Sequence, residues 1–322
     1  MNNRERKIHL DTDLGGDIDD LCALAMLLRW PKAIRITGIT TVGDNNGRRA
    51  GQVKYVLGLA GRNEIPVAAG ADVSQGYYPY ELGLPPEERY WPEPIAPFPT
   101  PAAAAVQMLK DSIDQDATII AIGPYTNLFL LEKQFPGSLQ KARLFLMGGY
   151  VYPPRAGFPQ WQHTEDFNVQ VDVHSAYAVI AHSNPTFVPL TVTVETSLRR
   201  SHLPALRKAG ALGQLLARQS EAFAEDEKLG ERLAAVCPEL HHDFINFQHD
   251  PLVCAIALGW RDGVEISEIP LRTEIRDGVL SQQIVADSKP TRVVTKIDGA
   301  KFSAFWLETV AGVTQAGNTG VN

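Results

Sequence analysis

Only three cysteines, Cys22, Cys237 and Cys254, stand in 322 residues. They are too few and too scattered for a disulfide framework, and no CxxC pair begins a zinc site. A reducing compartment is therefore expected, with the cytoplasm as the location. Positive charge is also scarce, since 30 Lys and Arg stand against 37 Asp and Glu for a formal charge of -7. No run of lysine or arginine occurs, which argues against a nucleic-acid-backbone footprint. No window approaches the ~20 apolar residues of a membrane span. The N-terminus, MNNRERKIHL, carries charge where a signal peptide would carry an apolar stretch. Repeats, low-complexity tracts and flexible linkers are missing, so one elaborated α/β domain over residues 1–322 is expected. Small-molecule chemistry is what these absences leave.

What is present is a β-α alternation in a chain of 44% hydrophobic content. Residues 8–10, 34–42, 65–69, 118–122 and 142–147 read as strands, and 19–30, 46–60, 102–113 and 127–134 as helices. The pattern continues with a helix over 173–182, a β-branched strand over 187–194 and a long helix over 211–235. Residues 265–296 are rich in β-formers, Arg276, Asp277 and Gly278 suggest a hairpin, and a last helix covers 299–313. The expected fold is an open, mostly parallel sheet with helices on both faces and a small hairpin elaboration near the C-terminus. Residues 76–100 have neither period and are laden with proline and aromatics, as in a folded loop beside a site.

Open parallel sheets bind ligands at the carboxyl ends of strands, so the loops there are the place to look for chemistry. The first, DTDLGGDIDD, places Asp11, Asp13, Asp17, Asp19 and Asp20 within ten residues. Sharing one pocket they would repel one another, and a hard divalent cation such as calcium or magnesium resolves that conflict with oxygen ligands. Helix capping accounts for one or two of them, Asp17 or Asp19, but not for Asp11 and Asp13 at the strand end. A phosphate-cradling loop is disfavoured, because uncompensated carboxylates repel phosphate. The next loops are TTVGDNN with Asn45, GPYTN with Thr126, MGG followed by EDFN with Asp166 and Asn168, and QHDP with His249 and Asp250. Each has a plain alternative in turn or capping chemistry, including Asp250 as N-cap before Pro251.

Taken together, DTDLGGDIDD, ITTVGDN, GPYTN, MGG with EDFN, and HDPL resemble the inosine-uridine-preferring nucleoside hydrolase family, in its order and over residues 8 to about 258. The resemblance implies hydrolysis of the N-glycosidic bond of ribonucleosides to free base and ribose by a calcium-activated water, in a homodimer or homotetramer. It implies Asp13, Asp20, the Thr126 carbonyl and Asp250 as metal ligands. Asp19, Asn45, Asp166 and Asn168 are implied to hold the ribose, and Asp11 to support the ligands. Asp13 would take the proton of the water, and His249 would protonate the leaving base.

The sequence departs from the family pattern in several places. Leu14 replaces a proline and the acidic loop is longer by two residues, so Asp17 can replace Asp19 or Asp20. Asp166 stands where a glutamate is usual, with Glu165 before it, and only Gln160 and Gln162 stand for an expected asparagine. Glu81, Leu82, Gly83 and Leu84 occupy the place of a His-Gly element. His241, His242 and Asp243 form a second His-Asp group, disfavoured because FINF follows it. Tyr77, Tyr78, Tyr80, Trp91, Tyr152 and Trp161 are candidates for covering a base. Two other functions compete. One is a non-catalytic sugar or nucleoside binder of the same fold, and the other is a haloacid-dehalogenase-type phosphatase with Asp11 as nucleophile and Asp13 as acid.

Overall fold

The computed structural model describes residues 5–72, 83–101 and 103–312. Its main sheet has nine strands. β1 (Arg6–Thr12), β2 (Ile34–Thr41), β3 (Val67–Ala69), β4 (Thr118–Ala121), β5 (Arg143–Met147) and β6 (Thr186–Val188) pair in parallel. β7 (Leu198–Arg199) and β8 (Phe244–Asn246) form a separate antiparallel pair. β9 (Glu265–Arg276), β10 (Val279–Ile284) and β11 (Pro290–Lys296) complete the sheet, β11 parallel to β6 and antiparallel to β9.

The strand order is β10-β9-β11-β6-β5-β4-β1-β2-β3. The chain thus starts mid-sheet at β1, moves outward through β2 and β3, and returns to β4 on the other side of β1. Connections leave β1 and β4 in opposite directions, which opens a crevice at their carboxyl ends. The last five residues of β1 are buried, as befits a strand covered on both faces. Helix Asp19–Leu28 is composed of strong helix formers after its two aspartates and is buried from Asp19 to Leu27. It packs on helix His249–Ala257, and Trp306 of helix Gly299–Ala311 donates to the Cys22 carbonyl at 3.1 Å. All three cysteines are free and buried.

The open, mostly parallel sheet with its antiparallel C-terminal extension is as expected, and the Asp277-Gly278 turn joins β9 to β10 with φ of 51° and 78°. Positive φ at both central positions matches the twist of a two-residue hairpin. Several boundaries differ from the sequence reading. The strand expected over 187–194 stops at Val188, because Pro189 lacks the N–H needed to continue the ladder and Leu190–Thr193 turns helical. The long helix over 211–235 divides at Lys228, whose φ of 50° ends Gly210–Glu227 before Leu229–Ala234 begins. Left-handed Asn46 and Gly47 delay the second helix to Arg48–Leu59. Tyr77, Tyr78, Tyr80, Glu81, Leu82, Ala102 and Val313 lie outside the described residues. Among the described residues no helix is long and apolar enough to cross a membrane.

Candidate active site

The loop after β1 folds its aspartates to different tasks. Asp11 stays buried beneath the crevice, where Oδ1 accepts from Thr40 Oγ1 at 2.5 Å and Asn127 Nδ2 at 2.8 Å. Burial pushes its carboxyl up to about 7 against those two hydrogen bonds. Asp17 stands at the cavity mouth, accepting from the N–H groups of Ile18 and Asp19 and from Asn246 Nδ2 at 2.5 Å. It therefore closes the turn into the first helix. Asp19 and Asp20, in that helix's first turn, face inward. One carboxylate oxygen from each of Asp19, Asp20 and Asp250 lies within 4.8 Å of the other two, and all three residues are buried.

Asp250 reaches this cluster because its helix starts two residues earlier than its sequence suggests, at His249 with Gln248 as N-cap. Its side chain is thereby released from capping, and its N–H donates to Asp19 Oδ2 at 3.3 Å. Thr12 Oγ1 donates to Asp20 Oδ1 and ties the end of β1 to the same cluster. Burial, then mutual repulsion, holds Asp19, Asp20 and Asp250 well above the ordinary carboxylate range. Burial also raises Asp13, with the Arg49 guanidinium pulling the other way. A crowded, all-oxygen set short of positive charge is the donor chemistry a hard divalent cation takes.

A cavity of about 460 Å³ joins this cluster to a second polar group. Asp13, Asp17, Asp19, Asp20 and Asp250 line it, and so do Ile122, Glu165, Asp166 and Asn168. Gly148 and Gly149, with φ of 135° and 94°, turn the chain after β5 so that the Gly149 N–H donates to Asp166 Oδ2 at 2.5 Å. Burial raises Asp166 to about 7 against the N–H groups of Gly149 and Val169. Asn168 Nδ2 donates to the Ile122 carbonyl at 2.9 Å.

His249 also lines the cavity, half-buried, its ring 5.3 Å from that of Phe247. Burial pushes its imidazole down to about 3. Nδ1 meets Thr193 Oγ1 at 2.6 Å, and that hydroxyl donates to the Leu190 carbonyl at 3.2 Å. The contact with Thr193 orients the ring in the cavity wall.

Two residues from the sequence reading fall elsewhere. Asn45 is exposed in a short 3-10 turn outside the cavity, and the buried Asp44 beside it caps the next helix through the N–H groups of Arg49 and Ala50. Thr126 opens helix Thr126–Gln134, where its carbonyl enters the helical ladder and its hydroxyl donates to Asp172 at 2.8 Å. Ile122, one residue after β4, lines the cavity, and its carbonyl accepts from Asn168 Nδ2. Gln160 and Gln162 turn to nearby carbonyls, while Trp161 between them lines the cavity. Asp11 does not line it, which removes the nucleophile of the phosphatase reading.

Arg49 is the functional candidate that side-chain motifs missed. It is 1% exposed and lines the cavity, with Nε donating to the Gly43 carbonyl at 2.9 Å and Nη1 to the carbonyls of Asp13 and Leu14. The available signal was an arginine on the apolar stripe formed with Ala50, Val53, Val56 and Leu57. Replacing it by methionine strips these carbonyls of a charged donor. The Arg49→Met protein is expected to lose about 2 kcal/mol of stability, measured by urea unfolding of the metal-free form.

A larger cavity of about 960 Å³ contains Tyr152 and His241 but none of the clustered aspartates. Asp243 is engaged by Arg199 at 2.8 Å, so the second His-Asp group forms no part of the acidic site. Trp91 is buried edge-on against Tyr55, away from the crevice.

Comparison with known proteins gives this geometry its family. The pyrimidine-specific ribonucleoside hydrolase RihA of Citrobacter koseri is 29% identical over 234 residues, which are 66% of this chain and 70% of that protein. RihA of Salmonella schwarzengrund is 29% identical over 69% of this chain and 74% of its own. Among solved structures, the plant nucleoside hydrolase PpNRh1 superposes with a TM-score of 0.76 at 18% identity, covering 96% of this chain and all of its own. The purine-preferring ribonucleoside hydrolase from Gardnerella vaginalis gives 0.75 at 19% identity, covering 97% and 100%. These two likenesses concern the fold. The family model for inosine-uridine preferring nucleoside hydrolase matches residues 8–304, and the chain belongs to that family.

Proposed function

We propose that this chain is a calcium-dependent ribonucleoside hydrolase that releases free base and ribose. The supporting observation is the convergence of Asp19, Asp20 and Asp250 in a cavity that Asp166 and Asn168 also line. Asp13, Asp20, Asp250 and the Ile122 carbonyl would hold the metal. Calcium, when bound, lowers the pKa of a coordinated water and accepts a vicinal diol as ligand.

The remaining steps belong to the protein. Asp13 takes a proton from the attacking water. Asp19 accepts hydrogen bonds from the ribose diol, while Asp166 and Asn168 grip the sugar and fix the anomeric carbon. The surrounding carboxylates favour the positive charge that develops on the sugar as the C–N bond breaks. His249, which lines the cavity, is the candidate to protonate the departing base. The same reading extends to one domain working as a homodimer or homotetramer in cytoplasmic nucleoside salvage.

The test is a panel of inosine, adenosine, uridine and cytidine, assayed with calcium for both free base and ribose. Release of the two in equal amounts is expected from at least one of them. Binding without cleavage of any member would favour a non-catalytic binder instead.

A further inference from the structure

The cavity carries more negative charge than hydrolysis requires. Among the described residues, eight carboxylates line it against the guanidinium of Arg49. Three of them, Asp17, Glu165 and Glu227, are exposed. Asp17 and Glu165 accept from neutral donors, Asn246 Nδ2 at 2.5 Å and the Gln162 N–H at 2.7 Å, which leave their charge in place. Glu227 shares an exposed ion pair with Arg232 at 3.8 Å. Deeper in, Asp166 Oδ1 is buried without a hydrogen-bond partner among the described residues.

Aromatic rings flank the same carboxylates. Glu165 lies between Trp161 and Phe167 in sequence, and all three line the cavity. Phe223 and Glu227 stand four residues apart on helix Gly210–Glu227, a spacing that puts both on one face. A ring face beside a carboxylate attracts a flat cation twice over, through its quadrupole and through charge. Neutral bases gain neither attraction and only stack on the rings.

We propose that the preferred substrates are ribonucleosides whose base carries a fixed positive charge, such as N-alkylated purines and pyridinium ribosides. This rests on the hydrolase reading above. The chemistry balances without an acid: the C1′–N bond breaks, its electron pair returns to the ring nitrogen and neutralises the base. The oxygen of water bonds to C1′ and a proton passes to a carboxylate. No proton is needed on the departing base.

The experiment compares 7-methylguanosine with guanosine, and nicotinamide riboside with uridine, using the full chain with calcium. The charged member is expected to be cleaved with kcat/KM at least about tenfold higher. Because charged bases also leave more readily in water, the exposed carboxylates supply the discriminating arm. The Glu165→Gln, Glu227→Gln double variant is expected to raise KM for the charged substrates about tenfold while guanosine changes less than about twofold. Binding is checked separately in the wild-type protein, where 1-methylnicotinamide should compete about tenfold more tightly than neutral nicotinamide, the gap closing in about 1 M salt. Equal cleavage and equal competition by charged and neutral compounds would overturn the charge preference and leave the hydrolase reading standing. Persistence of the full kcat/KM preference in the double variant would likewise assign it to leaving-group reactivity and overturn the inference. Cleavage of none of the nucleosides would overturn the hydrolase reading itself.

Discussion

Replacing Asp13 by alanine is expected to lower kcat/KM for ribonucleosides about a thousandfold or more, because the change removes a proton acceptor and a metal ligand together. Stability should respond differently. Asp13 adds repulsion to Asp19, Asp20 and Asp250, all of which burial already holds in a high carboxylate range. Its removal relieves that repulsion, so the metal-free variant is expected to unfold at the same urea concentration as the parent or higher. Calcium should then stabilise it less than it stabilises the parent. Activity lost together with stability would indicate damage to the fold, whereas the predicted split assigns the loss to chemistry. Full retention of activity would remove Asp13 from the mechanism.

The second large effect is on the metal-free protein as pH changes. Asp11 and Asp166 are raised to about 7, and Asp19, Asp20 and Asp250 are raised well above their ordinary range. Carboxyls of the unfolded chain titrate near 4. An acid whose folded value is raised binds protons more tightly when folded, so its stabilisation is present below the unfolded value and is lost as pH rises through the folded one. Metal-free protein is therefore expected to become steadily less stable between about pH 4 and 7, the reverse of a fold held by salt-bridged carboxylates. Calcium favours the ionised cluster, so its stabilising effect should grow over the same interval. At a hundredfold excess over its dissociation constant it contributes about 2.7 kcal/mol. Thermal scans at several pH values, with calcium or with chelator, measure both trends. A metal-free Tm that rises with pH over this interval would contradict the charge state inferred for the cluster.

The parts of this site that the sequence made legible share a physical character. Five aspartates in one loop carry a conflict that only a cation or a special environment resolves, and the β-α alternation places that loop at a strand's carboxyl end. The missed parts lack such a mark. A backbone carbonyl leaves no trace in side-chain type, so Thr126 stood in for Ile122 four residues earlier, inside the same short loop. Asn45 and Asp44 are adjacent polar residues in a turn, and only the positive φ at Asn46 and the cap on Arg49 and Ala50 decide which one faces inward. Arg49 looked like an ordinary helical arginine until Arg48–Leu59 was seen to pack that face over the cavity. His249 was legible as a member of the site, but its contacts with Thr193 and Phe247 lie outside the linear motif.

The longer acidic loop also acquires a physical account. Asp17 closes the turn and stands at the mouth with Asn246, which allows Asp19 and Asp20 to enter the cavity from the first turn of the helix. The extra length thus adds a charge at the entrance without displacing the cluster behind it.

The most direct test of the central claim is to titrate calcium into metal-stripped protein while following base and ribose release from the best nucleoside of the panel. The account predicts negligible hydrolysis at the start, then activity that rises with calcium and saturates near one ion per chain, with base and ribose appearing in equal amounts. Undiminished hydrolysis after complete stripping, or saturation with calcium and no hydrolysis of any nucleoside, would contradict it.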